Sequence, residues 1–325
     1  MSVIRQIING AKIKFTFFIN SITATGGTKV FLDNKIYHIF TQPGTFEITS
    51  VPIYNTSTEV NYLIAAAGGS SGPNSSPATF GSGGGGAGGL RIGTYKFEIG
   101  TYPVTVGTGG PSNGGNSSVF SLTSNGGGRG TGGTAVVVAN GAPFSGIAGG
   151  CGGGAGTFGF TTPVFNPAYT TASGGTATQP PLGANNYGNP GGSYTGGSGQ
   201  TNITIPAAAS GGGGGGAGGQ AVNSSKSNLS QTPSTAVASG GNGYSSPSFP
   251  YQIGQIANLP SDWITSILTY GFCKGGDATG PFPTPAMIGT TNTGNGGQGN
   301  NVAGSPGIVI ISYDVYNSYN DRKTL

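Results

Sequence analysis

Charge is nearly missing from this chain. Only 6% of its residues are charged, and from Gly100 to Ser261 there is no Asp or Glu at all. Arg129 and Lys226 are the only basic residues in that stretch. General acid–base chemistry needs titratable groups beside the reacting atoms, and this body offers almost none. Histidine is reduced to His38, which sits in an alternating run over residues 35–40 and reads as a structural residue of a strand. A Ser–His–acid triad would have to use it. The 8 acids lie mostly toward the ends of the sequence. Asp262 and Asp277 are the nearest pair in the late body, and a helix cap and a turn residue account for them. No enzyme activity is expected, and no catalytic, cofactor or metal residue is assigned.

Cysteine is equally sparse. Cys151 and Cys273 are alone, no C-x-x-C exists, and one His cannot complete a Cys/His zinc site. Nothing in their spacing demands a disulfide, and both are expected to act as small buried apolar side chains. Runs of 18 apolar residues are missing, so no membrane-spanning helix is expected. Arg5, Lys12 and Lys14 precede a short apolar stretch at 15–19, but Asn20 and Ser21 interrupt it before it reaches the length of a signal-peptide core. The alternation over 12–17 predicts a half-buried strand instead. Arg5, Lys12, Lys14, Lys29 and Lys35 hold five of the 12 basic residues within the first 35, on a chain of net charge +4. That clustering reads as a solvated charged segment. The body is too neutral to hold a phosphate backbone, which argues against nucleic acid as a partner.

Glycine is what the chain has: 68 of 325 residues, in runs such as 83–86, 126–128 and 211–216. Glycine brings no side chain to bury and loses the most conformational freedom on folding. Such a chain either stays disordered or packs backbone directly on backbone. Disordered chains are poor in aromatics and rich in charge, whereas this one has 14 Tyr and 16 Phe. An ordered structure is therefore expected. Collagen is excluded because glycine does not recur at every third position with abundant Pro. A calcium-binding glycine solenoid is excluded because its repeated Asp is absent. What remains is a body of extended, polyproline-II-like glycine segments bonded side by side, which satisfies backbone groups that are costly to bury unpaired.

Residues 1–66 read as ordinary strands at 12–19, 29–32, 35–40 and 45–49, with a hairpin turn at Asp33-Asn34 and another turn at Pro43-Gly44. The apolar run 60–67 predicts a strand buried on both faces. Strand islands are expected at 91–99 and 102–106, paired as a hairpin, and at 119–122, 134–138 and 202–205. The run 307–313 is the clearest strand of all. Ser261 opens the only helical pattern, over 261–268, at most two turns long and carrying Trp263 as a small local plug of core. Gly81-Ser82-Gly83-Gly84-Gly85-Gly86 fits the dinucleotide pattern, but no helix follows and chance accounts for it. The Asn-x-Ser/Thr triplets at Asn55, Asn74, Asn116, Asn202, Asn223 and Asn228 are likewise read as chance in a chain rich in these residues.

In order along the chain stand Thr25-Gly26-Gly27; residues 35–41; Gly44-Thr45-Phe46; residues 62–69; the glycines at 83–86 and 88–89; residues 100–107; residues 113–118; and the closing run 304–313. This ordered set resembles the glycine-rich domain of bacteriophage tail fibres and other virion proteins, over about residues 24–313. The resemblance implies a virion structural or host-attachment role without enzyme activity or cofactor. It implies an all-β fold: N-terminal β-strands, a glycine-rich body of short strands and packed polyproline-II-like segments, and a closing C-terminal strand. The segments expected are an N-terminal arm for virion attachment (1–23), an N-terminal β part (24–67), the glycine-rich body (68–313) and a polar tail (314–325). The implied partners are other virion proteins through the N-terminal segment, a host surface glycan or outer-membrane protein, and further copies of the chain as a homotrimer. Location on the virion, with synthesis in the host cytoplasm and no membrane insertion, follows from the same resemblance. The alternatives are a capsid decoration or head-fibre protein, and an ice- or surface-binding protein. Aromatic rings in the low-charge mid-body (Phe158, Phe160, Phe165, Phe249 and several tyrosines) either plug gaps between glycine layers or touch a receptor. The candidate receptor contacts are Tyr169, Tyr187, Tyr194, Tyr244 and Tyr251, since Tyr gives large contact area at low entropy cost.

Overall fold

The computed structural model describes residues 22–51, 59–73, 81–132, 144–157, 171–179, 186–195, 212–225, 238–278 and 291–315, and the backbone of 3–8, 11–16, 134–136 and 158–160. The architecture is all-β. In chain order the strands are β1 (Val3–Ile8), β2 (Ala11–Thr16), β3 (Thr23–Thr25), β4 (Thr28–Leu32), β5 (Lys35–Phe40), β6 (Gly44–Ser50), β7 (Glu59–Ala65), β8 (Leu90–Lys96) and β9 (Gly100–Val104). There follow β10 (Ser117–Val119), β11 (Leu122–Ser124), β12 (Thr134–Val136), β13 (Phe158–Phe160), β14 (Thr171–Ala172), β15 (Asn186–Tyr187), β16 (Tyr194–Thr195) and β17 (Ser224–Ser225). Two short helices, α1 (Gln252–Ile256) and α2 (Ser261–Tyr270), precede β18 (Ile308–Asp314).

A six-stranded sheet in the order β15-β8-β7-β18-β5-β4 carries the main core. A three-stranded sheet, β3-β6-β9, covers part of one face. Alternation assigns the side chains. Ile308 and Ile310 of β18 join Leu63, Ala65, Tyr37 and Ile39 in one cluster, with Phe249, Ile253, Trp263 and Ile267 from the helical region. Val309, Ile311 and Tyr313 face the other way, onto Phe46, Ile48 and Val104 of the smaller sheet. The strand is therefore apolar on both sides, which is why 307–313 reads as an unbroken run although its neighbours are antiparallel. Asp33 and Asn34 take positive φ of 49° and 59° in the β4–β5 turn, as the expected hairpin requires.

Four expectations need correction. The run 119–122 is not a strand but the turn between β10 and β11, with Phe120 and Ser121 at φ 55° and 60°. The segments 91–99 and 102–106 do not form a hairpin: β8 pairs with β7 and β15, while β9 pairs with β6 in the other sheet. Residues 97–99 therefore cross between layers, with Phe97 buried in the core they share. The helical segment is longer than two turns, starting after Pro260 and stopping before Gly271 at φ 73°. Nor is Trp263 a local plug; it lies in the main cluster, donating from Nε1 to the Asn292 carbonyl. Sequence reading missed α1, whose pattern is broken by Gly254, and β1. A Cβ at Gly254 would sit 2.2 Å from the Trp263 ring, so glycine there lets the two helices meet. The expected strand at 202–205 lies outside the described residues.

Past Ala65 the period changes. Successive amides of residues 66–72 donate to Gly89, Gly115, Ser305, Gly86, Ser112, Val302 and Gly83 at 2.8–3.0 Å. The partner segment recurs every third residue, the repeat of a polyproline-II-type helix. The same rule holds next door. Residues 83–89 donate in turn to 131, 212, 297, 128, 215, 294 and 125. Their carbonyls accept from 66–72, 151–154 and Gly276. Segment 81–89 is thus the hub of the bundle, bonded to six neighbouring segments. The smallness of glycine makes this packing feasible. A Cβ at Gly83, Gly84, Gly85 or Gly88 would lie 2.0–2.1 Å from a neighbouring carbonyl oxygen. Those four glycines have no positive φ; among all described glycines only Gly26, Gly27, Gly271, Gly294 and Gly299 do. The bundle selects glycine for the absent side chain rather than for conformational freedom.

Where a glycine segment runs short of backbone neighbours, an amide or carboxylate side chain supplies the acceptor. Asn116 and Asn113 take the N–H of Gly126 and Arg129, again three residues apart. Asn295 takes that of Lys274, Asp277 that of Gly240, and Asn223 that of Ser193. The abundance of Asn thus has a structural use. Ala87, Cys151, Ala217 and Cys273 are the short side chains by which the bundle enters the main core. Both thiols are free and buried, as expected.

Candidate functional site

The bundle has two unlike ends. At one end its segments run straight into the large sheet: 66–72 continues β7, 81–89 leads into β8 and 302–307 into β18. At the other end lie residues 72–73, 81–83, 131–132, 144, 155–157, 193–195, 212 and 224. These residues are neighbours. Gly72 donates to Gly83, Gly83 to Thr131, Gly156 to Phe144 and Thr157 to Gly81. Gly212 donates to Ala155, and Ser224 to Ser193. Two small sheets clasp the same end: β12 beside β13, and β14-β16-β17. The described residues that flank five further stretches of the sequence are thus neighbours. These stretches (74–80, 137–143, 161–170, 196–211 and 226–237) each contain Pro and together carry a single charge, Lys226.

The candidate tyrosines do not form one group. Tyr194 in β16 is 5% exposed and packs on Ala155 and Ala172, where burial raises its phenol pKa. It fills space between glycine segments near the clasped end. Tyr187 and Tyr244 stack with ring centroids 4.4 Å apart, and the Tyr187 hydroxyl donates to that of Tyr244 at 3.3 Å. That hydrogen bond, then burial, raises the Tyr187 pKa. Tyr251 caps α1 and, like this pair, is half-buried against the main cluster. These three rings lie at the sheet-and-helix end. Tyr169 lies outside the described residues, as does Phe165.

Sequence reading did not single out Tyr95, Tyr102 and Phe120, which pack together at centroid distances of 4.3–6.2 Å. No local signal joins them, because β8, β9 and the turn after β10 meet only through the sandwich.

His38 is fully buried between the sheets. Its Nδ1 lies 2.7 Å from the Gly26 carbonyl and its Nε2 3.2 Å from the Tyr313 hydroxyl. Its ring stacks on Tyr313 and meets Phe46 edge-on. Burial lowers its pKa, outweighing the Gly26 bond. The neutral ring donates from Nδ1 and accepts at Nε2, a fully used structural histidine. Asp277 accepts from Lys274 Nζ at 3.0 Å and from the Gly240 amide, and Asp262 from the Trp263 amide, so the two late acids serve separate local structures. No described helix is long and apolar enough to cross a membrane. No protein-family model matches the chain, and no curated protein matches it.

Proposed function

We propose that this protein is a structural attachment component of a virus particle, of the phage tail-fibre or adhesin type, acting by non-covalent binding to a host surface. The observation that carries the reading is the asymmetry of the bundle. One end is locked into a β-sandwich, and the other gathers the described residues that flank five stretches of sequence carrying a single charge. A rigid scaffold that roots several connections on one face is the arrangement in which surface loops carry recognition. The near absence of charge around that end suits contact by shape, hydroxyls, amides and rings. Burial of the glycine backbone in a continuous hydrogen-bonded bundle suits a part that must survive outside the cell. The ordered landmarks over 24–313 support the same reading.

The test is immunogold electron microscopy of intact source particles with an antibody raised to residues 140–260, joined to an adsorption assay with purified protein. Label at the tail or fibre tips, with host adsorption blocked by added protein, is the expected result. Label spread over the head makes the chain a capsid decoration, and absence from particles overturns the reading.

A further inference from the structure

β1 and β2 form a two-stranded sheet that no other described strand joins. Its register pairs Val3 with Thr16, Ile4 with Phe15, Arg5 with Lys14, Gln6 with Ile13, Ile7 with Lys12 and Ile8 with Ala11. Directly opposite residues share a face, and the faces alternate along each strand. One face therefore holds the positions of Ile4, Ile8, Ala11, Ile13 and Phe15, with Gln6. The other holds those of Arg5, Lys12 and Lys14, with Val3, Ile7 and Thr16. No acid precedes Asp33 in the sequence, so nothing nearby along the chain offsets these three cations. Arg5 directly opposite Lys14 is an unfavourable cross-strand pair. A lone two-stranded hairpin is marginal in water. By register, then, the hairpin has one face of mostly apolar positions and one face with three cationic positions, and no other described strand pairs with either of its edges.

We infer that the β1–β2 hairpin is a docking element for an acidic protein, seated in a cleft with one apolar and one acidic wall and extended by a strand of that partner. Charge complementarity selects the acidic wall. A second copy of this cationic hairpin cannot provide it. A membrane surface leaves the open strand edges unsatisfied where water is excluded, whereas a protein strand pairs with them. Nucleic acid matches the cationic positions but has no cover for the apolar face. The inference deepens the attachment reading by giving the particle-side partner a chemistry, and it rests on that reading only for where the partner sits.

The test places a photo-crosslinking amino acid at Ile13 or at Lys14 of the full chain, in the particles or cells that make it. Cross-linked peptides are then sequenced. Both positions are expected to capture one and the same protein, with the Lys14 adducts in an acid-rich segment. Lys14→Glu is expected to lower the Ile13 adduct yield about tenfold, and Lys14→Arg to preserve it. The melting temperature of the body should not move in either variant, which separates docking from folding. Adducts to another copy of this chain, to nucleic acid, or to nothing overturn the inference. So does flotation of the purified protein with phosphatidylglycerol vesicles. Adducts to an acidic protein that is not part of a particle keep the inference and sink the virion reading. Gold label on the tail without such adducts does the reverse.

Discussion

Replacing Gly85 with Ala tests the bundle at its hub. A Cβ at Gly85 would stand 2.1 Å from the Gly69 carbonyl oxygen and 2.8 Å from the Gly297 nitrogen, where ordinary contact begins near 3.4 Å. These neighbours are backbone and cannot rotate away. The segments must separate by more than an ångström. That breaks the Gly85 N–H bond to Gly297 O (2.9 Å) and the Gly276 N–H bond to Gly85 O (2.8 Å). A buried backbone group left unpaired costs about 1–3 kcal/mol, so the two bonds together lose roughly 2–6 kcal/mol. Folded domains are stable by only about 5–15 kcal/mol. Gly110→Ala is the control, because nothing lies within 4 Å of its Cβ position and its φ is not positive. There the substitution is expected to be neutral or stabilising by up to about 1 kcal/mol. Urea unfolding followed by fluorescence of Trp263, the sole tryptophan, reads both. Gly85→Ala is expected to lower the midpoint sharply or to prevent folding. Equal midpoints for the two variants would refute backbone-on-backbone packing as the reason for glycine.

Other perturbations probe separate parts. His38 has its pKa lowered from 6.5 by burial, so the unfolded chain binds the extra proton first. Its contribution is complete above 6.5 and is lost as pH falls through the window below that value. Melting temperature should therefore drop between about pH 7 and about pH 5.5, and the drop should shrink in His38→Gln. Cys151, with its thiol pushed up to about 12, and Cys273, likewise raised by burial, should resist iodoacetamide in the native protein and react fully in denaturant. Asn295→Ala leaves the Lys274 amide without its acceptor at a site only 9% exposed, and should cost about 1–3 kcal/mol in urea unfolding. Asn116→Ala, at an exposed edge where water can replace the lost acceptor, should cost about 1 kcal/mol or less.

Legibility in the sequence followed the range of each interaction. β4, β5 and their Asp33-Asn34 turn were readable because alternation and turn chemistry are local. β18 was readable because apolar residues on both faces leave no alternation to misread. The supposed hairpin of 91–99 with 102–106 failed for the complementary reason. Both runs hold strands, β8 ending at Lys96 and β9 starting at Gly100, and nothing nearby reveals that residues 97–99 carry the chain into another layer. The glycine runs disclosed an extended bundle by excluding collagen and solenoids. They could not disclose which segment meets which, because glycine carries no side chain to encode register. That information sits instead in the interspersed Asn, Asp and Ala residues, whose partners lie far along the chain. The tyrosines were ambiguous for a related reason. A ring between glycine layers and a ring offered to a partner have the same sequence context, and only burial tells Tyr194 from Tyr251.

The bundle also bears on the proposed attachment role. In an ordinary domain, the connections between elements are placed by side-chain packing, so changing a loop risks the core beneath it. Here the glycine segments are held by their own backbone bonds, with partners fixed every third residue. Segment 81–89 shows how strict the demand on such residues is: a methyl group on Gly85 would collide with two neighbouring backbone segments. Rigidity is concentrated in residues that have no side chain. A part of the proposed kind, which must not unfold outside the cell, is served by that arrangement.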